Sequence, residues 1–232
     1  MPNWRRWPSP SRPSSDPIVT PARLLASGMV LTASAGIIDA VGFIELGGYF
    51  TSFMSGNTTQ GGAAFVDGVW PTVVLTGSLI LLFFIGSAIG AFLAHSGTRW
   101  GPALASGAVF AGTAATLALT VAGYPARQTM LVLAATAGAQ NAILPMRGAV
   151  RLGATFVTGT LYAAGQDLAL ALRRLAPPLR WLQHLAVWFG LLGGAVLGAF
   201  AYRFVGIFTL LLPLAIYAAF TLAHLWAGRL HA

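Results

Sequence analysis

Six blocks of the chain, about 23–46, 72–95, 102–122, 128–146, 182–202 and 205–227, are almost continuously apolar. Most are close to the roughly 20 residues that a helix needs to cross a hydrocarbon core about 30 Å thick. Two further segments, 50–67 (FTSFMSGNTTQGGAAFVD) and 154–172 (ATFVTGTLYAAGQDLALAL), are of similar length but rich in Ser, Thr, Asn, Gln and Gly. Polar side chains and irregular backbone at membrane depth are tolerated only inside protein or beside a water-filled cavity. Both segments therefore belong in the interior, either spanning or entering and returning. The pattern predicts an all-α, polytopic integral membrane protein with six transmembrane helices and two polar membrane-embedded segments.

Composition agrees with that class. Of 232 residues, 56% are hydrophobic and 8% charged, against about 25% charged in an ordinary soluble domain. The net charge of +8 suggests nucleic acid until the charges are placed. All 13 basic residues are arginine, mostly at the ends of apolar blocks, as cytoplasmic loops of membrane proteins require. No nucleic-acid partner is expected; the partner is the lipid bilayer. Residues 1–20, rich in Pro, Ser and Arg, read as a flexible cytoplasmic tail, and 21–232 as one membrane domain. Arg23, the apolar stretch after it and Ala33-Ser34-Ala35 mimic a cleaved signal. A matching stretch deep in the chain argues for a retained helix instead.

That match is part of an internal repeat. Ala35-Gly36-Ile37-Ile38-Asp39-Ala40 is echoed by Ala137-Gly138-Ala139-Gln140-Asn141-Ala142, and Thr51–Thr58 by Ala154–Leu161. Gly86-Ser87-Ala88-Ile89-Gly90-Ala91-Phe92 is echoed by Gly194-Ala195-Val196-Leu197-Gly198-Ala199-Phe200. Order and spacing both persist, so the chain reads as two repeats, about 23–122 and 128–227. Each is a helix, a polar segment and two helices. Repeats of this kind recur in transporters, with the working site near the midplane between the halves. The repeated Gly-x-x-x-Gly lets helix backbones approach closely, within one chain or between two copies as a homo-oligomer.

The arginines bear on topology. With re-entrant polar segments and a cytoplasmic N-terminus, only Arg127 and Arg203 fall outside. If both segments span, Arg99, Arg147 and Arg151 move outside and Arg127 moves inside. The positive-inside rule favours the first arrangement, which makes the halves inverted repeats of three spans each. The second would make them parallel repeats of four.

The run Ala35-Gly-Ile-Ile-Asp39-Ala-Val-Gly42-Phe43, then Phe50-Thr-Ser-Phe-Met-Ser-Gly56-Asn57-Thr58, resembles the signature of the YoaK-like family of bacterial inner-membrane proteins. Gly138-Ala-Gln140-Asn141-Ala142 and Thr155-Phe-Val-Thr158-Gly159-Thr160 carry the likeness into the second half. Ile37 stands where that pattern has Tyr, and Ser55 where it has Thr. The resemblance covers about 23–227. It implies a multi-pass protein of a bacterial inner membrane and supplies neither substrate nor cofactor.

Asp39 is the leading candidate for chemistry. It lies about two-thirds of the way along an apolar block, where a carboxylate costs several kcal/mol unless paired or hydrated. Such a group serves as a proton carrier or cation ligand, or else braces the polar segment through Ser55, Asn57 or Thr58. Its counterpart Asn141 hydrogen-bonds but does not titrate. Ser55, Gly56, Asn57 and Thr58, with Thr158, Gly159 and Thr160, are the natural substrate- or ion-binding set, because glycine admits close approach and the others supply donors and acceptors. Their structural alternative is helix–helix hydrogen bonding. Gln140 and Asn141, with Gln166 and Asp167, form a second polar set, and Asp167 is expected to pair with Arg173 or Arg174. Glu45 and Arg147 occupy equivalent repeat positions and would meet as a gate if a two-fold axis relates the halves; otherwise they are unrelated interfacial charges.

The four histidines show no metal-ligand spacing and mostly lie near helix ends, so no metal is expected. Hydrolase, metalloprotease, Walker and dinucleotide fingerprints are absent, and an enzyme is not expected. The favoured reading is a small-solute or ion transporter, or a channel-like permease, with its site between the repeats. The alternative is a non-transporting scaffold or accessory subunit whose polar core is structural.

Overall fold

A computed structural model describes residues 22–144 and 157–230. The N-terminal tail and the gate candidate Arg147 lie outside them. The described residues fold into α1 (Ala22–Leu46), α2 (Met54–Val66), α3 (Trp70–Ala94), α4 (Gly101–Val121), α5 (Ala126–Gln140), α6 (Val157–Leu172), α7 (Arg180–Val205) and α8 (Leu211–Leu230). A 3-10 turn over Gly206–Leu210 joins α7 to α8. No strand occurs among these residues.

Four helical stretches are long and apolar enough to cross a membrane: Ala22–Leu46, Trp70–Ala94, Gly101–Val121 and the run Arg180–Leu230. The last, at 51 residues, would measure about 77 Å if straight, more than twice the hydrocarbon core. It breaks at Gly206, whose φ of 55° no helix interior accepts. α5 has 15 residues, or roughly 22 Å, because it ends at Gln140, short of the predicted 146. α2 has only 13 residues, roughly 20 Å, too few to cross alone.

The helices are held by close backbone contact at glycine, as expected where lipid removes the hydrophobic drive for helix association. α1 lies along α7 in the same direction: Met29, Ala33 and Ile37 face Gly190, Gly194 and Gly198. α3 lies along α5 likewise, with Gly86 on Ala135 and Gly90 on Ala139. A methyl group at Gly36 would strike the Leu191 carbonyl, and one at Gly138 the Phe83 carbonyl. The Gly-x-x-x-Gly faces considered for pairing between copies are thus covered by packing within the chain.

α5 runs antiparallel to α1. Gln140 at its C-terminal end donates to the Leu31 carbonyl at 2.7 Å, whereas Leu131 and Ala134 share a cluster with Leu46 and Tyr49. A second cluster, centred on Ile38, Val41, Val109, Met130, Leu133 and Tyr217, joins α1, α4, α5 and α8. Four buried threonine hydroxyls in these interfaces satisfy themselves on their own helix. Thr32, Thr113, Thr116 and Thr136 each donate to the carbonyl four residues back, so small polar residues enter the contact without an orphaned group.

Candidate functional site

After α1 the chain turns back on itself. Gly47 and Gly48 adopt positive φ of 69° and 115°, a conformation glycine takes at little cost. Residues 49–53 then descend along the last two turns of α1 until they reach Asp39. One oxygen of Asp39, Oδ1, accepts from the Thr51 N–H at 3.0 Å, the Thr51 hydroxyl at 3.1 Å and the Ser52 N–H at 2.6 Å. The other, Oδ2, accepts from the Ser52 hydroxyl at 2.6 Å. Asp39 therefore braces the loop, but through Thr51 and Ser52 and not through Ser55, Asn57 or Thr58 as the sequence suggested.

The return leg is α2. Buried Asn57 accepts from the Phe50 N–H at 3.0 Å and donates to its carbonyl at 2.7 Å, a strand-like pairing made by one side chain. One turn on, Gln60 donates to the Gly48 carbonyl at 3.1 Å. Tyr49 meets Thr72 at 3.1 Å, placing the start of α3 beside the end of α1. The segment 47–66 thus descends as a loop and returns as a helix on the same side as the C-terminus of α1. Ser55 and Thr58 are exposed, and Thr58 donates to Met54 of its own helix. Gly56 is packed so closely that a methyl there would strike the rings of Phe53 and Phe50.

Asp39 and Ser52 stand on the wall of a cavity of about 600 Å³. Gly36, Ala40, Phe43 and Ile44 of α1, Phe50 and Phe53 of the loop, Thr158 and Leu161 of α6, and Trp188, Leu191, Ala195 and Ala199 of α7 complete it. Of the sequence candidates, Asp39 and Thr158 meet here. Ser55, Gly56, Asn57, Thr58, Gln140, Asn141, Gly159 and Thr160 do not line it. Gln140 of α5 is buried against α1, and Asn141 donates to the Ala137 and Gly138 carbonyls at 3.3 Å each. Thr160 is buried and Gly159 exposed on α6.

One charge sits differently from the expectation, and another gains a hydroxyl partner. Asp167 pairs with Arg180, not Arg173 or Arg174: Arg180 donates from Nε and Nη2 at 2.6 Å each. His184 adds an Nε2 contact at 3.2 Å and is buried. This cluster ties α6 to α7. Glu45 accepts from the Tyr202 hydroxyl at 2.7 Å, a second tie between α1 and α7. The sequence missed Thr51, Ser52, Trp188, Arg180 and Tyr202. Gly47-Gly48 directly after an apolar helix was the available signal for the reversal, and the rest carry no local signature.

Comparison with known proteins places the chain. A family model described as a protein of unknown function, DUF1275, matches residues 27–223. The chain belongs to the DUF1275 family. It is 31% identical over 214 residues to the UPF0700 transmembrane protein RA0705 of Rhizobium meliloti (strain 1021), covering 87% of this chain and 90% of that protein. It is 27% identical over 146 residues to the UPF0700 transmembrane protein YoaK of Bacillus subtilis (strain 168), covering 60% and 65%. No solved structure matches. The family match includes the whole reversal from α1 to α3 and all the residues that line the cavity.

Proposed function

We propose that this DUF1275 protein is a six-span permease of a bacterial plasma membrane, not an enzyme, which moves a small solute through the cavity beside Asp39. The observation that carries this reading is the cavity itself. It is built from both halves of the chain, α1 with its returning loop on one side and α6 with α7 on the other. Its volume lies in the range of small-molecule sites, and one ionisable side chain stands on a mainly apolar wall.

Two inverted repeats of three spans underlie the reading. Gly86 on Ala135 corresponds to Gly194 on Ala33, and Gly90 on Ala139 to Gly198 on Ile37. Gly138 between Phe83 and Ser87 corresponds to Gly36 between Leu191 and Ala195. Each pair is related by the spacing at which the sequence motifs repeat. The antiparallel course of α1 and α5 and the same-side return of α2 support inversion, as does the arginine distribution with the N-terminus inside. The spans are then α1, α3, α4, α5, α7 and α8.

The second reading, a scaffold with a structural polar core, is favoured by the four hydrogen bonds that tie Asp39 to its loop. Uptake into proteoliposomes separates the two. A permease carries members of a solute panel, and Ala199→Phe, which fills the cavity from the α7 wall and replaces none of the Asp39 hydrogen-bond partners, reduces that flux at unchanged stability. Absence of flux across the panel, or flux indifferent to Ala199→Phe, removes the permease reading.

A further inference from the structure

The geometry points to a lipophilic organic cation, an ammonium group carrying an aromatic or aliphatic body, as the occupant of the cavity beside Asp39. This rests on the permease reading and names its substrate class.

Charge is the first argument. Asp39 is the only ionisable residue on the wall among the described residues, and no basic side chain accompanies it there. Its four donors are backbone N–H groups and hydroxyls, not cations. They are unevenly shared: Oδ1 takes three and Oδ2 one, so Oδ2 keeps acceptor capacity. An anion would meet this carboxylate with no cationic side chain of the described residues to offset it.

The wall is the second argument. Phe43, Phe50 and Phe53 stand in a row with successive ring centroids 5.2 Å apart, and Gly56 packs closely against the last two. Trp188 stands on α7. Aromatic faces beside a carboxylate attract a weakly hydrated cation. A metal ion is served poorly, because among the described residues Asp39, Ser52 and Thr158 provide the only oxygen-bearing side chains on the wall against the six to eight oxygens that, for example, calcium takes.

The mouth is the third. Phe43, Phe53 and Leu161 of the wall are 45%, 42% and 46% exposed, so the opening is bordered by apolar side chains. An apolar body on the ligand would meet matching surface there.

The test uses the full chain in lipid nanodiscs, with empty nanodiscs giving the partition background. Benzyldimethyloctylammonium and its anionic counterpart octylbenzenesulfonate are titrated by calorimetry. Saturable binding of the ammonium alone is expected, about tenfold weaker in Asp39→Asn and in Trp188→Leu. Trp188→Leu leaves the loop untouched, so a loss there with an unchanged melting temperature does not come from unfolding. Comparable binding of the sulfonate overturns the proposal, as does displacement of the ammonium by equimolar oleate, which marks an acyl-chain slot. So does ammonium affinity that neither variant changes. Cation binding without uptake into proteoliposomes upholds the cation site and removes the permease; uptake of neutral solutes without charge preference does the reverse.

Discussion

Replacing Asp39 by alanine tests what holds the returning loop at depth. The substitution removes an acceptor shared by two N–H groups and two hydroxyls. The Thr51 hydroxyl keeps a partner in the Ile38 carbonyl, 3.4 Å away. The Thr51 and Ser52 N–H groups gain none, and both residues are buried. An orphaned buried donor costs about 1–3 kcal/mol, so two cost about 2–6 kcal/mol. Asp39→Asn retains an oxygen for both N–H groups and exchanges charge-assisted bonds for neutral ones, at a cost of about 1 kcal/mol. Thermal or denaturant unfolding of the purified protein in detergent reads the difference. The expected order of stability is wild type, then Asn close below it, then Ala far below. An alanine variant as stable as wild type, or an asparagine variant as damaged as alanine, would refute the bracing role.

Three further outcomes follow from the same geometry. Gly86→Leu should lose about 1–3 kcal/mol by forcing α3 from α5, while Gly77→Ala in the same helix, with open space around it, should be neutral or slightly stabilising; equal effects would sink the close-packing argument. Asn57→Ala should cost about 1–3 kcal/mol through the lost Phe50 pairing, whereas Ser55→Ala, exposed on the same helix, should stay within about 0.5 kcal/mol, both read from unfolding midpoints. The chain has no cysteine, so Asp67→Cys and Ser96→Cys can be labelled singly in intact cells with an impermeant maleimide. The re-entrant reading expects label at 67 and none at 96, and the opposite result would make α2 a span.

Helix positions were legible because apolar runs of membrane-crossing length have few other uses. Where the reading fell short, the cause was local. α5 stops at Gln140 because the chain turns at Asn141 and Ala142, and an apolar run carries no mark of where backbone pairing ends. The candidate site was legible as a region and not as a set of residues. The motif Ser55-Gly56-Asn57-Thr58 was noticed for its polarity, yet α2 points Ser55 and Thr58 outward and uses Asn57 on the loop. Asp39 takes Thr51 and Ser52 because the Gly47-Gly48 reversal fixes how far back the chain reaches. That distance is a property of the turn geometry, invisible in residue types. Trp188 is more remote still: its place on the cavity wall depends on α7 lying along α1.

That last pairing has a consequence for how the cavity can exist. The two most intimate helix contacts, α1 with α7 and α3 with α5, both join the first hundred or so residues to the later ones. The wall opposite Asp39 is therefore supplied by the later part of the chain, and Gly36 decides how near it comes, since any side chain there would strike Leu191 and Ala195. Moving α7 outward by the width of a methyl group would shift Trp188, Leu191, Ala195 and Ala199 from Asp39 together, as one rigid face. A motion that alternately opens and closes this site would thus be a displacement of α6 and α7 against α1 and its returning loop. The Glu45–Tyr202 bond lies near the far end of the α1–α7 contact and would have to break or follow that displacement.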